Sequence, residues 1–231
     1  MPREPKSRTA GRANDRADSK TASVRIIGGQ WRGRRLTYAA DPRTRPMKDR
    51  VREAVFNLLG ELHAAAAIDL FAGTGALGFE ALSRGAEAAV FFERHFPTAE
   101  LIRRHAAAFD ATDRCHVESA DTFAFFRRGP VLPPLVGRRR WVVFCSPPFE
   151  LYESRRDEMR ALIAQLCAAA PAASAFVVEA DERFDLSLLP ESLRWDVRRY
   201  PPAQIAIGWT SADPIPHAGQ NEGTLAMGRP S

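Results

Sequence analysis

The densest chemistry in the sequence lies in Ser146-Pro147-Pro148-Phe149, directly after the apolar run 141–145. Adjacent prolines fix a stiff turn and remove two backbone donors, which leaves carbonyl oxygens facing whatever the turn encloses. An exocyclic amine about to receive a methyl group needs acceptors for its N–H bonds, so that its lone pair points at the incoming carbon. The Pro147 carbonyl and the Ser146 side chain are groups of that kind. Phe149 can stack on a base held out of its helix, an interaction typically contributing roughly 1–3 kcal/mol. The plainer alternative is a Pro-Pro turn that closes a strand and binds nothing.

A second constellation lies upstream, in Asp69-Leu70-Phe71-Ala72-Gly73-Thr74-Gly75-Ala76-Leu77-Gly78. The Gly73-x-Gly75-x-x-Gly78 spacing lets the backbone turn tightly and approach a ligand that a Cβ would exclude. Glu93 follows Gly73 by 20 residues, at a strand end where a carboxylate accepts both hydroxyls of a ribose. Asp69 puts negative charge where it would repel a pyrophosphate and attract an ammonium. S-adenosylmethionine combines that ammonium with a ribose and an adenine. Its sulfonium is already activated, so catalysis would be mainly positioning. Each acid also has an ordinary structural reading: Asp69 as a helix cap, Glu93 as a solvated strand end. Asp121 suits two roles equally, acceptor for the adenine amino group beside Phe123 or N-cap of the helix starting at Thr122.

The elements that must position these residues follow from periodicity. Alternating apolar strands and amphipathic helices begin after His63, with strands at 66–71, 88–93, 115–118, 141–145 and 175–179. Helices are expected after the glycine loop through Ser83, then at 98–109, 122–127 and 155–169, and segments 195–200 and 204–209 read as a closing antiparallel pair. Such alternation implies an α/β fold, a mostly parallel sheet with helices on both faces. The closing pair makes it similar, by analogy of fold alone, to the Rossmann-like class I methyltransferase fold with its seven-stranded sheet. Ahead of it, 24–27 and 30–37 read as a β-hairpin carrying Trp31, and 49–62 as a helix with Val51, Val55, Leu58, Leu59 and Leu62 on one face. The expected organisation is a disordered basic tail (1–22), an RNA-contacting hairpin and helix (23–63), a methyltransferase domain (64–212) and a disordered C-terminal tail (213–231).

Composition narrows the partner. The 231 residues carry 33 basic and 28 acidic side chains, and 45% are hydrophobic, which excludes a wholly disordered chain, a coiled coil and a collagen-like rod. Six basic and three acidic residues fall in 1–23, and nine basic against two acidic in 24–52, so a front of net charge +10 precedes a body of −5. Only three of the basic residues are lysine, so an arginine-rich genome accounts for abundance, whereas clustering points to a polyanion. Three scattered cysteines (Cys115, Cys145, Cys167) suggest neither zinc site nor disulfide framework. No segment reads as a membrane span or secretory signal, and a cytoplasmic monomer without metal is expected.

Three stretches carry a family resemblance. They are Arg25-Ile26-Ile27-Gly28-Gly29-x-Trp31-Arg32-Gly33-Arg34, then Arg45-Pro46-x-x-Asp49-Arg50-Val51-Arg52-Glu53-x-x-Phe56-Asn57, then Asp69 through Ala86. Over roughly residues 24–210 the chain resembles the RsmD family of small-subunit rRNA guanine-N2-methyltransferases. The resemblance implies a methyl transfer from S-adenosylmethionine to N2 of a guanine in 16S rRNA, on the small ribosomal subunit. It implies RNA contact by Arg25, Trp31, Arg32, Arg34, Arg45, Arg50 and Arg52. The cofactor would lie on Asp69, Phe71, Ala72, Gly73, Gly75, Gly78, Glu93 and Asp121, with catalysis at Ser146, Pro147, Pro148 and Phe149.

The departures are informative. The family's tetrapeptide usually opens with Asp, and a carboxylate accepts a hydrogen bond from an amine more strongly than a hydroxyl does. It can also take up a proton, which serine cannot easily do. Met47 stands for a threonine, His105 for an asparagine, and the loop 129–140 is longer and more basic than expected. Competing readings are an adenine-N6 methyltransferase on DNA or RNA, for which the tetrapeptide is equally suited, and an RNA-binding protein that has lost transfer activity. A nicotinamide dehydrogenase would rest on the glycine loop alone and leave the tetrapeptide without purpose.

Overall fold

The computed structural model describes residues 21–39, 46–129 and 131–210. Residues 1–20 and 213–231 of the expected tails, and Arg45, lie outside the described residues, whereas Thr21 and Ala22, expected in the disordered tail, pair with Ala39 and Tyr38 as the start of a strand. The chain order is β1 (Thr21–Arg25), β2 (Arg35–Ala39), α1 (Asp49–Leu59), β3 (Ala65–Asp69), α2 (Ala76–Ser83), β4 (Ala88–Phe92), α3 (Phe96–Ala108) and β5 (Cys115–Glu118). It continues with α4 (Thr122–Phe126), β6 (Arg140–Cys145), α5 (Leu151–Ser154), α6 (Arg156–Ala169), β7 (Ala175–Asp181), β8 (Arg194–Tyr200) and β9 (Ala203–Trp209). The seven-stranded sheet has the order β5-β4-β3-β6-β7-β9-β8. Strands β3 to β7 pair in parallel, and β9 pairs antiparallel with both β7 and β8. The near-continuous apolar runs of β3, β4 and β6 fit strands covered on both faces.

Three boundaries differ from those expected. The hairpin strands are displaced outward from the expected 24–27 and 30–37, and the second is shorter, because Gly29 (φ 73°) and Gly33 (φ 85°) turn the segment between them into a loop. That loop is clamped to the end of α2. The Ser83 carbonyl accepts from Gln30 N at 2.8 Å, and the Ser83 hydroxyl accepts from Trp31 N at 2.9 Å. A Cβ at Gly29 would lie 1.8 Å from the Ser83 carbonyl oxygen. The expected helix 155–169 is present as α6, and a further short helix, α5, precedes it across Arg155 (φ −130°). Helix α1 stops at Leu59 because Gly60 takes φ 67°, yet Leu62 beyond it is fully buried.

Hydrophobic side chains fill both faces of the sheet. On one face Ile26, Trp31 and Leu36 of the hairpin region share a core with Val55 and Phe56 of α1, Phe79 of α2 and Phe91 of β4. Each such side chain contributes about 1.5–3 kcal/mol on burial. The hairpin and α1 are therefore packed into the core of the sheet. On the other face α4 and α6 cover β3, β4, β6 and β7 through Phe123, Phe126, Met159, Ile163 and Leu166.

Candidate active site

In a doubly wound sheet a ligand binds outside the carboxyl ends of the strands, where the winding direction reverses. Here that point lies between β3, from which the chain winds outward to β4 and β5, and β6, from which it winds to β7. Asp69 ends β3 and pairs in register with Phe144 of β6, two residues before Ser146. The two constellations read from the sequence thus meet at the edges of adjacent strands.

Asp69 is buried, and its carboxylate is only partly satisfied. Oδ2 accepts a long bond from Gly78 N (3.3 Å), the Phe71 N–H also faces the carboxylate, and Oδ1 is buried without a well-formed hydrogen bond. Burial, reinforced by nearby Glu93, pushes its pKa up to about 7. The helix-cap reading therefore accounts for one oxygen and leaves the other without a hydrogen bond among the described residues. An orphaned buried acceptor is costly and calls for an explanation such as a ligand. Glu93 receives Gly73 N (2.9 Å) on one oxygen and His95 N (2.7 Å) on the other. These donors fix the carboxylate and leave a second lone pair on each oxygen. Gly75 stands at the start of α2 with φ 76°. A Cβ at Gly78 would sit 2.3 Å from the Phe91 ring, so this glycine serves close packing of α2 on β4. Ala72 N donates to the Phe92 carbonyl (2.9 Å), and Phe71 packs on Phe123 at 5.6 Å.

Asp121 is the N-cap of α4, accepting from Ala124 N at 2.9 Å, and its other oxygen pairs with Arg155 at 2.9 Å. The Arg155 guanidinium also lies 4.1 Å from the centre of the Phe123 ring. Of the two roles open for Asp121, the capping geometry is present.

The tetrapeptide forms the turn into α5. Leu151 N and Tyr152 N donate to the carbonyls of Pro148 (2.9 Å) and Phe149 (3.1 Å), whereas no donor among the described residues reaches the Pro147 carbonyl. Pro147 is buried, Pro148 exposed and Phe149 half-buried. The Ser146 hydroxyl donates to Glu179 Oε2 in a short hydrogen bond. Glu179 lies in β7, one residue beyond the Val178 that pairs with Cys145, and is 8% exposed. Burial raises its pKa, and the Ser146 bond offsets part of that rise. The sequence reading missed this residue. Its signal was a carboxylate closing the otherwise apolar run Ala175-Phe176-Val177-Val178. Neighbouring Cys145 is not a nucleophile, since burial pushes its thiol up to about 12.

The basic front divides into two groups. Arg32 and Arg50 are exposed, and exposed Arg25 pairs with Asp49 at 2.7 Å. Arg34 stacks on the Phe109 ring (4.1 Å) and donates to the Ala108 carbonyl (2.6 Å). Trp31, 7% exposed, packs on Phe109 with ring centres 4.8 Å apart. Arg52 is 0% exposed and donates to the carbonyls of Met47 and Arg25 and to Asp49. The burial of Trp31 and Arg52 corrects the expectation that they touch RNA; both hold the hairpin to the sheet. A cleft between the hairpin and the start of α1, lined by Arg25, Arg35, Tyr38 and Lys48, collects cationic groups. The basic loop 129–140 leads into the start of β6, about 20 Å along the strand from Ser146 at 3.3 Å per residue. There Arg139 pairs with Glu87 (2.7 Å) and Arg140 donates to the Glu61 carbonyl (2.5 Å). Among the described residues no cluster of three or more metal-ligating side chains occurs, and no helix is long and apolar enough to cross a membrane.

A seven-stranded sheet of this order, with two carboxylates and a glycine turn at its switch point, defines a Rossmann-like class I methyltransferase fold. The family model described as "Conserved hypothetical protein 95" matches residues 24–201, and the chain belongs to this family, the RsmD family. It is 38% identical over 132 residues to ribosomal RNA small subunit methyltransferase D of Escherichia coli K12, a match covering 57% of this chain and 63% of that protein. The protein of the same name from Haemophilus influenzae is 36% identical over 128 residues, 54% of this chain and 64% of its own length. These matches span somewhat less than two thirds of each relative. The solved structure of yhhF from Escherichia coli, provisionally named a methyltransferase, superposes with a TM-score of 0.69 at 29% identity, over 83% of this chain and all of that one.

Proposed function

We propose that this protein transfers a methyl group from S-adenosylmethionine to the exocyclic N2 of a guanine in 16S rRNA, in the cytoplasm and on the small ribosomal subunit. The observation that carries the reading is the meeting of two incomplete polar arrays at one switch point. One is Asp69, with a buried oxygen that lacks a hydrogen bond; the other is Ser146 with the Pro147 carbonyl, which no donor among the described residues reaches. Curated relatives named as small-subunit rRNA methyltransferases support the same reading.

The residues fit the cofactor. Asp69 Oδ1 would take its ammonium and Glu93 its ribose hydroxyls, with the Gly73–Gly78 backbone passing close beneath and Phe71 and Ala72 along the wall. Asp121 retains lone pairs for the adenine amino group. When bound, the cofactor supplies an activated methyl group on a sulfonium. The chain supplies position: Ser146 Oγ and the Pro147 carbonyl accept the two amine hydrogens, Pro148 stiffens the turn, and Phe149 stacks on the extruded base. Alignment of this kind accounts for much of the rate in reactions with an activated donor.

Phe149→Ala is expected to lower turnover on small subunits about tenfold or more, from loss of roughly 1–3 kcal/mol of stacking, while calorimetric cofactor affinity stays within a factor of two. Unchanged turnover would sink the stacking role. RNA contact is assigned to Arg25, Arg32, Arg50 and the adjacent cleft, with Arg34 limited to what its stacked guanidinium leaves free. Because the hairpin shares the core of the sheet, its deletion is not a clean probe. Arg32→Ala with Arg50→Ala removes only exposed charge. The log–log salt slope of binding to 16S rRNA should fall by about one to two while the thermal midpoint is unchanged. A slope equal to that of the wild type would place the RNA elsewhere.

The deciding experiment is mass mapping of N2-methylguanine in rRNA from cells with and without this protein. One guanine should lose its methyl group in the deletion strain and regain it on complementation; identical maps would refute the reading.

A further inference from the structure

Methylation leaves the accepting amine with one proton more than it can keep. The Asp common at the head of the family's tetrapeptide could take that proton, and Ser146 cannot hold it alone. We infer that Glu179 is the positioning carboxylate of this site: it holds Ser146 Oγ toward the amine and receives, through that hydroxyl, the proton the amine releases. The inference rests on the function proposed above and assigns a residue that lies outside the tetrapeptide.

Geometry carries it. Ser146 directly follows β6 and Glu179 lies in β7, each one residue beyond the parallel register pair Cys145 and Val178, and the Ser146 hydroxyl donates to Glu179 Oε2. With its hydrogen committed, Ser146 Oγ presents lone pairs alone, so it can only accept from the substrate amine. Glu179 is held in turn, because the Tyr152 hydroxyl of α5 donates to its carbonyl at 2.8 Å. On β9 its register partner is Ile205, and Gln204 Nε2 is turned away toward the Asp181 carbonyl. Among the described residues the Ser146 hydroxyl bonds the Glu179 carboxylate, and the Tyr152 phenol, whose pKa burial raises, lies at the Glu179 backbone carbonyl. Asp181 is engaged by Arg183 at 2.8 Å. No cation among the described residues neutralises Glu179, so burial makes it a stronger base than an exposed glutamate.

The step balances. The amine nitrogen bonds to the methyl carbon and sulfur keeps the pair of the broken S–C bond, leaving a thioether. One amine N–H bond breaks as its proton passes to Ser146 Oγ, and the former Ser146 proton passes to Glu179. Exchange with solvent then restores the carboxylate. The base must be ionised, so turnover rises with pH through the Glu179 pKa, above the ordinary glutamate range. Losing the Ser146 bond removes a stabiliser of the charged form, so Ser146→Ala moves that titration further up.

The test uses the full chain and small subunits purified from cells lacking this protein. Glu179→Gln, isosteric with the native side chain, is expected to lower kcat about a hundredfold, the low end for acid–base groups. KM for subunits and calorimetric cofactor affinity should stay within a factor of two, and the acidic limb of the kcat–pH profile should disappear. The double variant Ser146→Asp with Glu179→Gln returns a carboxylate to the amine and should recover at least tenfold over Glu179→Gln alone. An independent readout needs no turnover. In the cofactor-free Asp69→Asn protein, which removes the other buried carboxyl of raised pKa, the infrared carbonyl band of a protonated buried carboxyl should titrate above the ordinary glutamate range. It should vanish in Glu179→Gln and persist to higher pH in Ser146→Ala. A Glu179→Gln variant with wild-type kcat and pH profile, or a band that survives it unchanged, overturns the assignment and leaves the function reading intact. Wild-type protein that methylates no small subunit brings down the function reading itself.

Discussion

Replacing Glu80 by alanine is expected to lower folding stability by about 3–5 kcal/mol and to loosen the N-terminal hairpin before the sheet. Glu80 is fully buried in α2. Its Oε2 accepts from Ile27 N at 2.7 Å and lies 3.8 Å from Arg52 Nε. Its Oε1 accepts from Gly28 N and from Arg84 Nε, each at 2.8 Å. Arg52 is itself fully buried, and its Nε has no hydrogen-bond partner. Burial already lowers the Arg52 pKa against the upward pull of Glu80 and Asp49. Without Glu80, a buried guanidinium keeps only Asp49 as counter-charge, and two backbone N–H groups lose their acceptor. Urea unfolding of Glu80→Ala, with hydrogen exchange at Ile27 and Gly28, measures both effects. A stability loss under 1 kcal/mol, with exchange at those amides unchanged, would mean that packing of Ile26, Trp31 and Leu36 alone fixes the hairpin.

That network explains what sequence reading could and could not extract from the N-terminal motifs. Charge clustering points to a polyanion at this end of the chain, and Arg25, Arg32 and Arg50 are exposed there. It does not say which arginines are spent on the fold. Arg52 and Trp31 are separated from their partners Glu80 and Phe109 by 28 and 78 positions, and only tertiary structure brings them together. The glycine turn, Asp69, Glu93 and the tetrapeptide were legible because a strand end, a turn and a helix start are local events with local residue signatures. Glu179 was not. Its meaning comes from a neighbouring strand 33 positions away. A serine read alone looks like a weakened site, whereas a serine bonded to a buried carboxylate is an acceptor with a base behind it.

The same contrast between local signature and tertiary setting governs Asp69. Its replacement by asparagine is expected to weaken S-adenosylmethionine binding by about 2–5 kcal/mol, at least thirtyfold, because the ammonium loses its charged partner in a buried site. The substitution keeps an oxygen for Gly78 N and nearly the same volume, so the fold should survive. Cofactor-free stability should move the opposite way. Burial raises the folded pKa of Asp69 to about 7, far above its ordinary value of 3.8. Between those limits the folded chain holds a proton that the unfolded chain has released, so this residue subtracts stability progressively as pH rises, with the full penalty above pH 7. Asparagine carries no such penalty. Asp69→Asn should therefore match or exceed the wild-type denaturant midpoint at pH 8, with the advantage fading toward pH 4. For the wild type, cofactor affinity should increase with pH through about 7 as the carboxylate ionises, a dependence absent from the variant. Calorimetry between pH 6 and 8.5, paired with urea titrations of the cofactor-free proteins, reads both signs. Wild-type affinity in Asp69→Asn would remove the ammonium from Asp69. A variant less stable than wild type at pH 8 would mean that the orphaned oxygen is satisfied in the free protein. Loss of affinity together with gain of stability is the signature of a buried charge kept for its ligand at the expense of the fold.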